Sequence, residues 1–234
     1  AYLDLGFKAY GEVVLAEAHR IAKLRAEFLA GRSALVGLDA PPVRWQEIEQ
    51  VFAKESFAET QATEYGFTRA GKRNGLWNGF YADGSRYFKG EYRAGKQHGV
   101  HRVWHPNGKT KLEVAWLDDK QHGPMRTWYE NGQQSLEQPW SDGHKNGLRR
   151  EWYEDGTPKA EEPWRDGKLQ GFVRTYFRNG RMEFEAEYKD GELDGRVRTW
   201  YASGQLHGDG QNRRNKQHGH WRTWGEDGRL EGEG

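Results

Sequence analysis

From about residue 64 to the end, hydrophobic and polar residues alternate in short runs that return in step every 24 residues. One aromatic position holds Phe80, Trp104, Trp128, Trp152, Tyr176, Trp200 and Trp224, and a second holds Tyr92, Trp116, Trp140, Trp164 and Tyr188. Two glycine series keep the same step, one from Gly75 to Gly219 and one from Gly84 to Gly228. Alternation of period two predicts half-buried strands. An Asn-Gly or Asp-Gly pair between two such runs, as at Asn131-Gly132 and Asp155-Gly156, predicts a hairpin closed by a type I′ turn, which needs positive φ at both central residues. A second turn recurs at Asp142-Gly143, Asp166-Gly167 and Asp190-Gly191 and joins each hairpin to the next. The predicted fold is mainly β: an elongated, single-layer antiparallel β-meander of about seven 24-residue hairpin repeats over 64–234.

Residues 1–63 follow another pattern. Tyr10, Val14, Ala18, Ile21 and Phe28 recur at helical spacing and predict a helix over 7–30, stopped at Gly31. Pro41-Pro42 breaks the chain. A second short helix is predicted over 43–55, with Trp45, Ile48, Val51 and Phe52 on one side. The two are expected to form an N-terminal helical cap, because the first repeat of an array has no neighbour to cover it.

Charges sharpen the picture of the repeats. A two-residue turn at Asn131-Gly132 places Arg126 opposite Glu137. The same arithmetic pairs Arg102 with Glu113, Arg150 with Glu161, Arg174 with Glu185, Arg198 with Asp209 and Arg222 with Glu233. Each cross-strand pair of this kind adds roughly 0.2–1 kcal/mol. A three-residue turn would break the pairing. Period two then sets Arg126 and Trp128 on one face, and Thr127, Tyr129, Leu136 and Trp140 on the other, drier face. One reading of the aromatics is the core of a thin sheet. The other is a row of anchors for a partner, as Trp and Tyr are at interface hot spots. The candidate partner-binding residues are Trp104, Trp128, Trp152, Tyr176 and Trp200, with Arg126, Arg150, Arg174 and Arg198.

Composition removes several alternatives. Among 234 residues, 36 Lys and Arg balance 35 Asp and Glu, a net charge of +1. Such a chain lacks the basic stripe of a general nucleic-acid binder. There is no cysteine for disulfides or thiolate metal sites. No apolar run reaches the roughly 18 residues of a spanning helix. His98, His122 and His218 share one repeat position, and because successive repeats lie about 10 Å apart they cannot hold one metal; histidines are expected at turns and on the surface. No nucleophile elbow, zinc-protease or phosphate-loop motif occurs. No enzymatic activity, cofactor or metal is expected. The chain opens on Ala1 rather than Met, which fits a trimmed or processed form in a bacterial cytoplasm or periplasm.

The runs Gly123-Pro-Met-Arg-Thr-Trp-Tyr-Glu-Asn-Gly132 and Glu187-Tyr-Lys-Asp-Gly191-Glu-Leu-Asp-Gly195-Arg resemble MORN repeats, in the variant of bacterial YwqK-type antitoxins. The resemblance covers the repeat region and leaves out the N-terminal segment. It implies a binding or scaffolding protein, most specifically an immunity or antitoxin protein that neutralises a cognate toxin or effector by occluding it. Its alternative implication is a membrane-surface scaffold touching phospholipid head groups. Glycan recognition by exposed aromatics is a third option.

Overall fold

Two antiparallel strands per repeat follow from the alternating pattern, and the computed structural model shows them throughout residues 50–57 and 62–234, the residues it describes. The chain divides into two compact units, Ala1–His98 and Gly99–Gly234. In the first unit, β1 (Gln50–Phe57), β2 (Ala62–Arg69), β3 (Lys72–Phe80) and β4 (Arg86–Arg93) pair in sequence order, all antiparallel. Trp77 is fully buried there. Its ring fills the space above Gly66, where any Cβ would overlap it.

The second unit continues the same plan. β5 (Lys96–Trp104) pairs from Gly99 onward with β6 (Thr110–Leu117), followed by β7 (Lys120–Trp128) and β8 (Gln134–Ser141). Next come the short β9 (His144–Lys145), β10 (Gly147–Trp152), β11 (Pro158–Arg165), the short β12 (Lys168–Leu169) and β13 (Gly171–Tyr176). The meander closes with β14 (Met182–Lys189), β15 (Glu192–Trp200), β16 (Leu206–Arg213), β17 (Lys216–Trp224) and β18 (Leu230–Glu233). The breaks between β9 and β10 and between β12 and β13 have a local cause. Pro139 and Pro163 stand opposite them, and a proline has no N–H to give the ladder. Each uses its carbonyl instead, accepting from Asn146 and Gln170 at 3.0 and 2.9 Å. Ala115 and Glu187 hold the equivalent positions beside β7 and β15, which run unbroken.

The type I′ geometry expected at the hairpin turns is not found there and occurs at the linking turns instead. Type I′ conformation belongs to the linking turns: Asp142 and Gly143 both have positive φ, 49° and 82°, as do Asp166 and Gly167 at 49° and 78°. In the Asn-Gly hairpins only the glycine does, for example Gly132 at 90°. The Gly132 N–H donates to the Tyr129 carbonyl, and the Tyr129 N–H to the Gln133 carbonyl, both at 2.9 Å. The Asn131 side chain stabilises this wider turn by accepting from the Gln133 N–H at 2.8 Å, an Asx turn.

The helix expected over 43–55 is corrected over its last part. Gln50 onward is strand β1, paired along its whole length from Gln50↔Arg69 to Phe57↔Ala62. The edge of β2 supplies partners for the backbone N–H and C=O groups of alternate residues, and this outweighs the weak helical preference of a short segment. The rest of the predicted helical cap, 1–49, lies outside the described residues. Among the described residues no helix is long and apolar enough to cross a membrane.

Candidate functional site

The expected hairpin register holds in the second unit. Arg102↔Glu113, Arg126↔Glu137, Arg150↔Glu161, Arg174↔Glu185, Arg198↔Asp209 and Arg222↔Glu233 are all direct cross-strand partners. The hairpin turn is odd-numbered, which alone would shift this pairing. A one-residue bulge at Ser135, skipped between Thr127↔Leu136 and Trp128↔Gln134, restores it.

A second bulge joins the hairpins into one row. Between β6 and β7 the register moves from Trp116↔Gln121 to Val114↔Met125, around Gly123 with φ 102°. Glu113 therefore faces Arg126; without the bulge it would face Pro124. The same step recurs, giving Glu137↔Arg150, Glu161↔Arg174, Glu185↔Arg198 and Asp209↔Arg222. The result is an unbroken line of alternating charge from Arg102 to Glu233. Positive φ at each leading glycine is what the line requires.

The contacts within this line are uneven. Arg126 donates to Glu137 at 2.9 Å, with Glu113 at 3.7 Å on its other side. Arg102 donates to Glu113 at 2.6 Å, Arg174 to Glu185 at 2.8 Å and Arg222 to Glu233 at 2.8 Å. Arg150 is held loosely, 3.9 Å from both Glu137 and Glu161, with its side chain 45% exposed. The expected Arg198–Asp209 ion pair is not made, although the register is right. Arg198 turns to Glu185, and Asp209 is taken by Arg196 through two bonds of 2.8 and 2.7 Å. Burial raises the Glu185 pKa, but hydrogen bonds from Arg174 and Arg198 outweigh it and hold the carboxyl below its ordinary value. Asp209 is likewise lowered, chiefly by its hydrogen bond from Arg196.

Trp104, Trp128, Trp152, Tyr176 and Trp200 are all half-buried. Three observations place aromatics on the charged face. The Arg198 guanidinium lies 5.4 Å from the Trp200 ring centre, Arg174 lies 5.5 Å from Phe172, and the Tyr176 hydroxyl reaches Glu161 at 3.4 Å. The opposite face is the drier one, with His101, Val114, Gln138, Ala160, Ala186 and Val197 buried there. Histidines are expected at turns and on the surface, and His122, His144, His207, His218 and His220 are exposed, but the expectation fails at two positions. His101 and His105 are buried, and His105 Nε2 donates to the Trp128 carbonyl at 2.9 Å.

Two features escaped the sequence reading. One is a set of side-chain bonds from repeat to repeat: Asn107 to the Glu130 carbonyl and Asn131 to the Glu154 carbonyl, both at 2.8 Å. The amide donor of Asn makes this bond and the carboxylate of Asp155 cannot, so the Asn-or-Asp choice was the available signal. The other is an apolar row two residues from the charged line on the same face. It is built of the pairs Val100↔Ala115, Pro124↔Pro139 and Leu148↔Pro163, and it ends at Phe172. Val100 and Phe172 are 46% and 39% exposed. The residue after each leading glycine marks this row in the sequence.

Among the described residues, no group of three or more His, Cys, Asp or Glu could hold a metal ion. The family model described as MORN repeat variant matches residues 97–116, 121–139 and 145–166, three consecutive repeats of the array. No curated protein matches the chain. The match supports a repeat module that binds proteins or membranes, and the matched family is not known as a family of enzymes.

Proposed function

We propose that this chain is a non-catalytic protein-binding module, acting as an immunity or antitoxin protein that neutralises a cognate toxin or effector by direct binding and occlusion. The observation that carries the reading is the composition of one sheet face: an alternating Arg/Glu line beside half-buried aromatics and an apolar row that is exposed at Val100 and Phe172 and half-buried between them. Arginine and large aromatics are the side chains that dominate protein interfaces. A line of fixed, alternating charge supplies register and selectivity more than raw affinity. The contact residues proposed are Trp104, Trp128, Trp152, Tyr176 and Trp200 with Arg126, Arg150, Arg174 and Arg198. The antitoxin form is supported by the resemblance of the repeats to bacterial antitoxin repeats.

Binding to phospholipid head groups is the weaker reading, because it draws on a net basic face. Here each arginine in the line is matched by a carboxylate. Co-expression with the product of an adjacent gene tests the proposal. A stable 1:1 complex that protects cells from that product is expected. Failure to bind any toxin-like neighbour removes the antitoxin form, and flotation with anionic vesicles at low salt would favour the lipid reading.

A further inference from the structure

We propose that the partner contributes an amphipathic α-helix, laid across the strands on the apolar row and read by the charged line beside it. This rests on the protein-binding reading above and adds the shape of the bound segment. The argument is one of spacing. Equivalent positions of successive hairpins, such as Val100, Pro124, Leu148 and Phe172, are two strands apart, about 9.6 Å. Neighbouring charges in the line, such as Arg126 and Glu137, are one strand apart and alternate in sign about every 4.8 Å.

Three regular backbones can be measured against this lattice. An α-helix returns the same face after seven residues, about 10.5 Å, and also presents i+3 and i+4 on that face at about 4.5–6 Å. It can therefore place an apolar residue over each hairpin and charges of alternating sign against the line. A polyproline helix repeats every three residues, about 9.3 Å, and fits the apolar spacing. Its half-pitch points to the opposite side, so it can meet only one sign of charge. An extended strand repeats its face about every 6.6–6.8 Å and fits neither spacing. Only the α-helix satisfies both rows.

The seat itself suits rigid docking. Three of its residues are prolines, which lose no side-chain entropy on being covered. The row crosses seven strands from β5 to β13, six steps or roughly 29 Å, which matches a helix of about 19 residues. It ends where Glu187, Arg196 and Gln211 replace apolar residues in the same register.

The test is selection of random peptides of about 20 residues on the full chain. Enriched sequences are expected to carry apolar residues at spacings of three, four and seven, with charges alternating in sign. They should gain helical circular dichroism when bound. Phe172→Asp and, separately, Val100→Asp should weaken them by about tenfold or more, while Lys216→Ala, away from the seat, should not. Both substituted positions are exposed, and an unchanged β-sheet circular dichroism spectrum and melting curve of each variant check that the fold is kept. Enrichment of period-three proline sequences or period-two strands overturns the helix proposal. So do helical sequences indifferent to both substitutions. If other peptides bind and are lost with Arg150→Glu, the protein-binding reading stands and the helix alone is rejected. No enrichment of any kind rejects both.

Discussion

The Tyr129 hydroxyl donates to the Trp152 carbonyl at 2.9 Å, tying the turn of one repeat to the strand end of the next. Tyr153 repeats the bond to the Tyr176 carbonyl at 2.9 Å, and His105 makes it with its ring nitrogen. Phe177 holds the same repeat position and has no hydroxyl. Tyr129→Phe should therefore cost about 1 kcal/mol, lowering Tm by roughly 2–4 °C. Phe177→Tyr should recover a bond to the Trp200 carbonyl and move Tm the other way. Thermal melts of both variants check this; equal losses in the two would contradict it.

The leading glycines are required for two reasons, and Gly123 shows both. Its φ is 102°, and a Cβ there would sit 3.3 Å from Ala115. Gly123→Ala should destabilise by about 1–2 kcal/mol from backbone strain alone. It should also loosen the pairing of Glu113 with Arg126, which the bulge creates. Hydrogen exchange at β6 and β7 reads both effects. Unchanged protection there would show that the bulge does not depend on the glycine.

Glu185 is the best-buried carboxylate of the charged line, with its side chain 8% exposed between Arg174 and Arg198. Its folded pKa is lowered despite burial, through its bonds to the two arginines. A depressed carboxylate contributes stability that is complete above its unfolded pKa, about 4.3. That stability is lost as pH falls through the folded value. Tm should thus fall as pH drops from about 5 toward 3. Glu185→Gln should be less stable at neutral pH and show a shallower fall. A slope identical to that of the unsubstituted protein would assign the acid sensitivity elsewhere.

Much of the fold was written in the spacing of glycine and aromatic residues, and the charge register could be counted from Arg126 to Glu137. That count succeeded although the turn type behind it was wrong. Asn131 lacks positive φ, and the bulged Ser135 offsets the odd turn. The continuity of the line from one hairpin to the next was not legible, because it depends on two extra residues accommodated around each leading glycine. Nor was the choice of Arg198 between Glu185 and Asp209, which a competitor, Arg196, decides from the neighbouring position. Strand β1 was misread as helix because its pattern fits both periods, and only the presence of β2 beside it selects one.

Affinity purification from source cells tests the central claim most directly, using the full chain and its Arg150→Glu/Trp152→Ala variant as baits side by side. One protein partner, encoded nearby and held in equal proportion by the unsubstituted chain, should be lost from the variant. Retention of that partner by both baits would remove the charged and aromatic face from the interaction.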